Sequence, residues 1–181
     1  MEALGIIEVN SVPVGFEIGD VMLKAAATEL VSALPVCPGK FVVVVRGEVA
    51  AVTSAVSAGE EMAVESLVDS LVIPSVHPQV FEAMMGVTDV GTRAAFASIE
   101  TFSLAATIHA ADQAVKSAQI NLIEIRLGRG LGGKSYVTFT GEVAAVQEAV
   151  KNGINAPQCA GMISKSVVIP SPHPAIWETI L

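Results

Sequence analysis

Thiols, large aromatics and positive charge are all scarce in this sequence. Its two cysteines in 181 residues, Cys37 and Cys159, lie in differently composed stretches, which excludes a disulfide framework and an intrachain cysteine metal site. Ten basic residues against eighteen acidic ones give a formal net charge of -8, the wrong sign for general nucleic-acid affinity. No apolar run reaches membrane-spanning length, because Glu8, Arg46, Glu48, Glu100 and Asp112 interrupt the longest ones. The opening "MEALGIIEV" has no basic region of the signal-peptide kind, so the expectation is a cytosolic chain with neither membrane nor nucleic acid as partner.

What is present is small and apolar. Hydrophobic residues make up 52% of the chain with one tryptophan and one tyrosine, and the mean hydropathy is +0.62. Alanine and valine carry most of that excess, which suits thin, closely packed layers and large subunit contacts. An obligate oligomer is expected.

An internal repeat organises the sequence. "GIIEVNSVPVGFEIGDVMLKAA" returns as "ASIETFSLAATIHAADQAVKSA", matching Glu8 with Glu100, Asp20 with Asp112 and Lys24 with Lys116. "GEVAAV" at 47–52 returns verbatim at 141–146, and "VIPSVHP" at 72–78 returns as "VIPSPHP" at 168–174. The drifting offset places one two-residue insertion in the second copy between the positions of Lys24 and Gly47, and another between those of Gly59 and Val72. The domain reading is 1–86, a linker at 87–95, and 96–181.

Each copy reads as strand, helix, two strands, helix, strand and short helix, a small α+β unit. "ALGIIEVNS" is strand-like, and "EIGDVMLKAAA" puts Ile18, Val21, Met22 and Ala25 on one helical face. "ELVSALPV" and "KFVVVVRG" are strands joined by a Pro-Gly turn, the second a β-branched run of the kind found in buried central strands. "GEVAAVTSAVSAGEEMAVES" is a helix with Val49, Val52, Ala55 and Val56 inward. "LVDSLVIP" is a strand ended by proline, and "HPQVFEAMM" a short helix that starts at a histidine-proline pair.

The stretch "GRGLGGKS" at 128–135 fits the phosphate-loop pattern letter for letter. That motif needs a helix directly after it, so that backbone amides and the positive helix end face the phosphates. "YVTFTG" follows instead and alternates as a strand, so the glycines are read as allowing close backbone approach. The three histidines have no metal-ligand spacing, and Cys159 is read as a buried structural thiol. Glu8, Glu100, Asp20 and Asp112 recur as repeated architecture rather than as an asymmetric acid/base pair, so no catalytic set emerges and an enzyme is not expected. Cys37, in "LPVCPGK", is open to three readings: a metal ligand, an incidental accessible thiol or a reactive redox thiol.

The set "GxxE…G-D-x-x-x-K-A-A…G-E-V-x-A-V…V-I-P-x-x-H" resembles the bacterial microcompartment (BMC) shell-protein domain, and the resemblance covers nearly all of both copies. It implies two tandem α/β-sandwich domains, each a ferredoxin-like sheet with helices. It further implies a homotrimer that mimics a hexagonal tile and packs with other shell proteins in a cytoplasmic microcompartment shell. In that family the hairpin loops line a central pore, which assigns Val36, Cys37, Pro38 and Gly39 from the first copy and Gly128, Arg129 and Gly130 from the second, Arg129 leaning toward the axis. Tandem members with a Cys-Pro-Gly loop carry an iron–sulfur cluster, which implies a [4Fe–4S] group shared by three Cys37 thiolates. Electron or cluster traffic to an encapsulated or cytosolic redox enzyme would follow, and the alternative is an open-pore tile for metabolites. The tile edge is assigned to Lys24, Lys116, Ser75, Ser171, His77 and His173. Ser75 and Ser171 depart from the arginine that shell tiles often carry there, which sets lateral self-assembly apart from what the pattern supports.

Overall fold

The computed structural model describes residues 2–128 and 130–180. In the first copy, β1 (Ala3–Val9), α1 (Val12–Ala25), β2 (Glu29–Val36), β3 (Lys40–Gly47), α2 (Val49–Ala63), β4 (Leu67–Ile73) and α3 (Pro78–Met85) follow one another. The second copy repeats the order as β5 (Ala95–Thr101), α4 (Leu104–Ser117), β6 (Ile120–Arg126), β7 (Ser135–Gly141), α5 (Val143–Ile154), β8 (Ile163–Ile169) and α6 (Pro174–Ile180). Each copy forms one four-stranded sheet, β2-β3-β1-β4 and β6-β7-β5-β8, in which all neighbouring strands are antiparallel. A strand-helix-strand twice over with this strand order is the ferredoxin-like arrangement.

The chain divides into two compact units. One holds residues 2–76 and 130–133, and the other holds residues 77–128 and 134–180. The repeat and the compact units therefore do not share a boundary: α3 ends the first copy but is counted with the second unit.

Within the first unit, β1 and β3 are the central strands, and all of β1 and Phe41–Val45 of β3 are buried. Their continuous apolar runs reflect burial on both faces. On the helix side, Ile7 and Val9 of β1 and Phe41, Val43 and Val45 of β3 pack with Ile18 and Met22 of α1 and Val52, Ala55 and Val56 of α2. The strands β2 and β3 fall on the residues read from sequence, because the Pro-Gly turn marks their junction. Two helical readings are corrected. The first helix begins at Val12, five residues ahead of the run read from sequence, with Pro13 in the first turn where its missing N–H costs nothing. Ala25 on that helix and Val49 at the start of α2 are exposed, since each lies at a helix end beyond the sheet it covers.

Candidate functional site

The turn between β2 and β3 is residues 37–39, held between Val36, which is buried, and Lys40. Gly39 adopts a left-handed φ of 69°, which closes the turn without a Cβ penalty. Cys37 sits in this turn, half-buried. Lys40, the first residue after the turn, reaches across to β1 and pairs with Glu8, whose side chain is fully buried. That ion pair ties the base of the hairpin to the sheet.

The matching connection in the second copy, residues 127–134, is longer, and it accommodates the first of the two insertions. Gly128, Gly130, Gly132 and Gly133 all have left-handed φ values, and β7 starts directly after at Ser135. A strand where a phosphate loop requires a helix removes the nucleotide reading. Gly133 has a specific role: a Cβ on it would lie 2.8 Å from Pro38 Cδ and 3.4 Å from the Cys37 carbonyl oxygen. Only glycine permits this approach, in conformation and in space. The structure thus brings the end of the second-copy loop onto the Cys37–Pro38 peptide. Gly128 is buried and Gly130 exposed, and Arg129 lies outside the described residues.

The other thiol is of a different kind. Cys159 lies in a 3-10 turn, Pro157–Cys159, rather than in the helix the first copy would predict. It is buried, its Sγ donates to the Ala106 carbonyl at 3.4 Å, and burial pushes its thiol up to about 11. Since the thiolate is the reactive form, a disulfide reagent at pH 8 is expected to titrate one thiol per cluster-free folded chain. Cys37→Ser should leave no fast thiol until denaturant is added; a fast thiol in that variant would show Cys159 to be accessible.

The residues that the resemblance assigns to the tile edge fall into matched pairs. Lys24 and Asp20 pair at 2.5 Å on the exposed face of α1, and Lys116 and Asp112 pair at 2.5 Å on α4 with Asp112 fully buried. His77 Nδ1 accepts from Gln79 N–H at 3.3 Å and His173 Nδ1 accepts from Ala175 N–H at 3.2 Å. Each histidine therefore supplies a side-chain acceptor to the first turn of the helix it precedes. Ser75 is half-buried and Ser171 exposed. The Lys40–Glu8 pair and the Gly133 contact escaped the sequence reading; the recurrence of Lys134 with Glu100, paired at 2.7 Å, is the signal that could have found the first.

Among the described residues no group of three or more His, Cys, Asp and Glu side chains is arranged to hold a metal. One chain offers the hairpin site a single thiolate, so an iron–sulfur group fits only if the same turn from other copies completes the ligand set.

Two four-stranded ferredoxin-like modules in tandem, each ending in a Pro-x-x-His-Pro hook, match a known domain twice. The BMC domain matches residues 3–76 and again 95–172. The chain belongs to the BMC-domain family of shell proteins. This tandem BMC protein is 39% identical over 180 residues to the bacterial microcompartment shell protein PduT of Citrobacter freundii, covering 99% of this chain and 98% of that protein. It is also 39% identical over 80 residues to the shell protein PduA of Citrobacter freundii, covering 44% of this chain and 83% of that one. A microcompartment protein from Desulfitobacterium hafniense, solved by crystallography, superposes with a TM-score of 0.91 at 49% identity, covering 98% of this chain and 99% of the other. No helix among the described residues is long and apolar enough to cross a membrane.

Proposed function

We propose that this tandem BMC protein is a non-enzymatic shell tile of a bacterial microcompartment, in which three copies close into a ring of six modules and their Cys37 thiolates jointly hold an iron–sulfur cluster of the [4Fe–4S] type. Similarity over nearly the full length to a bacterial microcompartment shell protein supports the tile. The observation that carries the cluster is the pair of thiol environments: Cys159 is sealed in the protein with its proton held, whereas Cys37 is half-exposed in a turn. Three-fold repetition turns that single thiolate into three, which leaves one iron of a four-iron cluster without a protein cysteine. A bound cluster supplies one-electron transfer. Within that function, Lys40 and Glu8 anchor the turn, Gly39 closes it and Gly133 braces the Cys37–Pro38 peptide. The role that follows is electron transfer or cluster exchange across the shell, with an encapsulated or cytosolic redox enzyme as partner.

The test is iron content and visible absorbance of protein purified without oxygen. Wild type and Cys159→Ser are expected to be brown with matching iron, and Cys37→Ser to be a colourless trimer with at least a tenfold loss of iron. Equal iron in wild type and Cys37→Ser removes the cluster and leaves an open-pore tile for metabolites. A stable wild-type monomer by light scattering removes the tile itself.

A further inference from the structure

The two copies of the repeat have the same elements but not the same surface. On α1, Phe16 is 63% exposed and Leu23 38%. Their counterparts on α4, Ile108 and Val115, are 0% and 8% exposed. Asp20 is 59% exposed at its side chain and its counterpart Asp112 is 0%. The difference runs the other way at the ends of the copies. Val80 of α3 is buried, whereas the matching Ile176 of α6 is 43% exposed. Each copy therefore has one face that is covered in one version and bare in the other.

The contact that covers the buried version is explicit. The hook that ends the first copy docks on α4 and β6: His77 N–H donates to Asp112 Oδ1 at 2.8 Å, and Gln79 Oε1 accepts from Leu122 N–H at 2.9 Å. Asp112 also holds Lys116, so its buried carboxylate is doubly satisfied, as burial of a charge demands. Apart from Gln79, whose place is taken by Ala175 with no side-chain acceptor, the elements of this contact have repeat equivalents on the bare side. Asp20 and Lys24 stand for Asp112 and Lys116, Leu30 of β2 for Leu122, His173 for His77 and Ile176 for Val80. Leu30 is exposed like the rest.

We infer that the C-terminal hook of one chain, Ser171–Ile176, clasps α1 of a second copy of the same chain, with the His173 backbone N–H donating to the Asp20 carboxylate and Ile176 covering the Phe16–Leu23 stripe. The inference rests on the trimeric tile and specifies the bond that closes it. The contact is head to tail, so repetition around a three-fold axis uses each hook and each α1 once and leaves neither bare. The sheet faces of the two copies differ as well: Ser98 and Glu100 are half-buried beside a groove of about 690 Å³, while the matching first-copy residues Ile6 and Glu8 are fully buried. Val64, at the end of α2, is a useful contrast. It is exposed, and so is the corresponding stretch around Gln158 and Ala160, so neither version lies in a copy-to-copy contact.

The experiment is native mass spectrometry and sedimentation of full-length protein across a dilution series, with circular dichroism to establish folding. Wild type and Val64→Asp are expected to stay trimeric. Asp20→Lys, which removes the acceptor and reverses its charge, should weaken the trimer at least tenfold. Ile176→Asp should weaken it at least a hundredfold and yield folded monomer, because the residue is a surface one within its own chain. Intact trimers in both Asp20→Lys and Ile176→Asp, with wild type also trimeric, overturn the clasp and leave the tile standing. A wild-type monomer overturns the tile and the clasp together.

Discussion

Lys40→Met is expected to destabilise the protein by about 3–5 kcal/mol, the usual loss when one partner of a buried ion pair is removed. Its partner Glu8 is fully buried, and the Lys40 side chain is itself only 14% exposed. The second copy supplies an internal control, because Lys134 and Glu100 make the same pair at 38% and 30% exposure. Lys134→Met should cost below about 1 kcal/mol, as exposed pairs do. The Glu100 carboxyl is held below the usual carboxylate range, first by the hydrogen bond from Lys134 and then by Ser164. A depressed carboxylate contributes stability above its unfolded value and loses it as pH falls through the folded value. The small difference between wild type and Lys134→Met is therefore present at neutral pH and vanishes in acid. Denaturant unfolding of both variants at pH 7 is the measurement. Equal losses would show that burial does not set the worth of this pair.

A second large effect concerns Gly15. A Cβ built there would lie 2.3 Å from the ring of Phe41 and 2.5 Å from the Phe41 Cβ, so rotating the ring cannot relieve the clash. Gly15→Thr should cost about 3 kcal/mol from overpacking, far more than the few tenths that leaving glycine returns in helix propensity. Phe41→Ser should cost about 3–5 kcal/mol, like other truncations of a buried phenylalanine. The second copy carries Thr107 and Ser135 at the matching positions, both buried, so the repeat has exchanged volume across this contact. The double variant Gly15→Thr with Phe41→Ser is accordingly expected to be more stable than the summed singles by about 2 kcal/mol, within the range known for touching residues. Additivity within about 0.5 kcal/mol, the behaviour of distant sites, would show that the two positions do not share one space.

Much of this protein is legible in its sequence. The duplication is written in identical segments such as "GEVAAV" and in matched acidic and lysine positions. The β2–β3 hairpin was readable to the residue, because a proline-glycine turn sits between an alternating strand and a β-branched run. The phosphate-loop match fails on the strand that follows it, and β7 begins at Ser135, directly after the glycines. The start of α1 was not readable: Pro13 and Gly15 look like loop residues in sequence, yet one occupies the first turn and the other lets the helix lie against Phe41.

What the sequence determined by itself is the module, its duplication and the identity of the two thiols, since these follow from local pattern and periodicity. What only the tertiary structure decided is the environment of residues that the repeat makes identical. Glu8 and Glu100, Asp20 and Asp112, Val80 and Ile176 match in pattern and differ in burial, and Gly133 meets Pro38 across most of the chain length. Periodicity shows which face of an element is apolar, but not whether another element covers it. Covering is a non-local event, fixed by which backbone segments approach one another and by which polar groups they bring to satisfy what they bury.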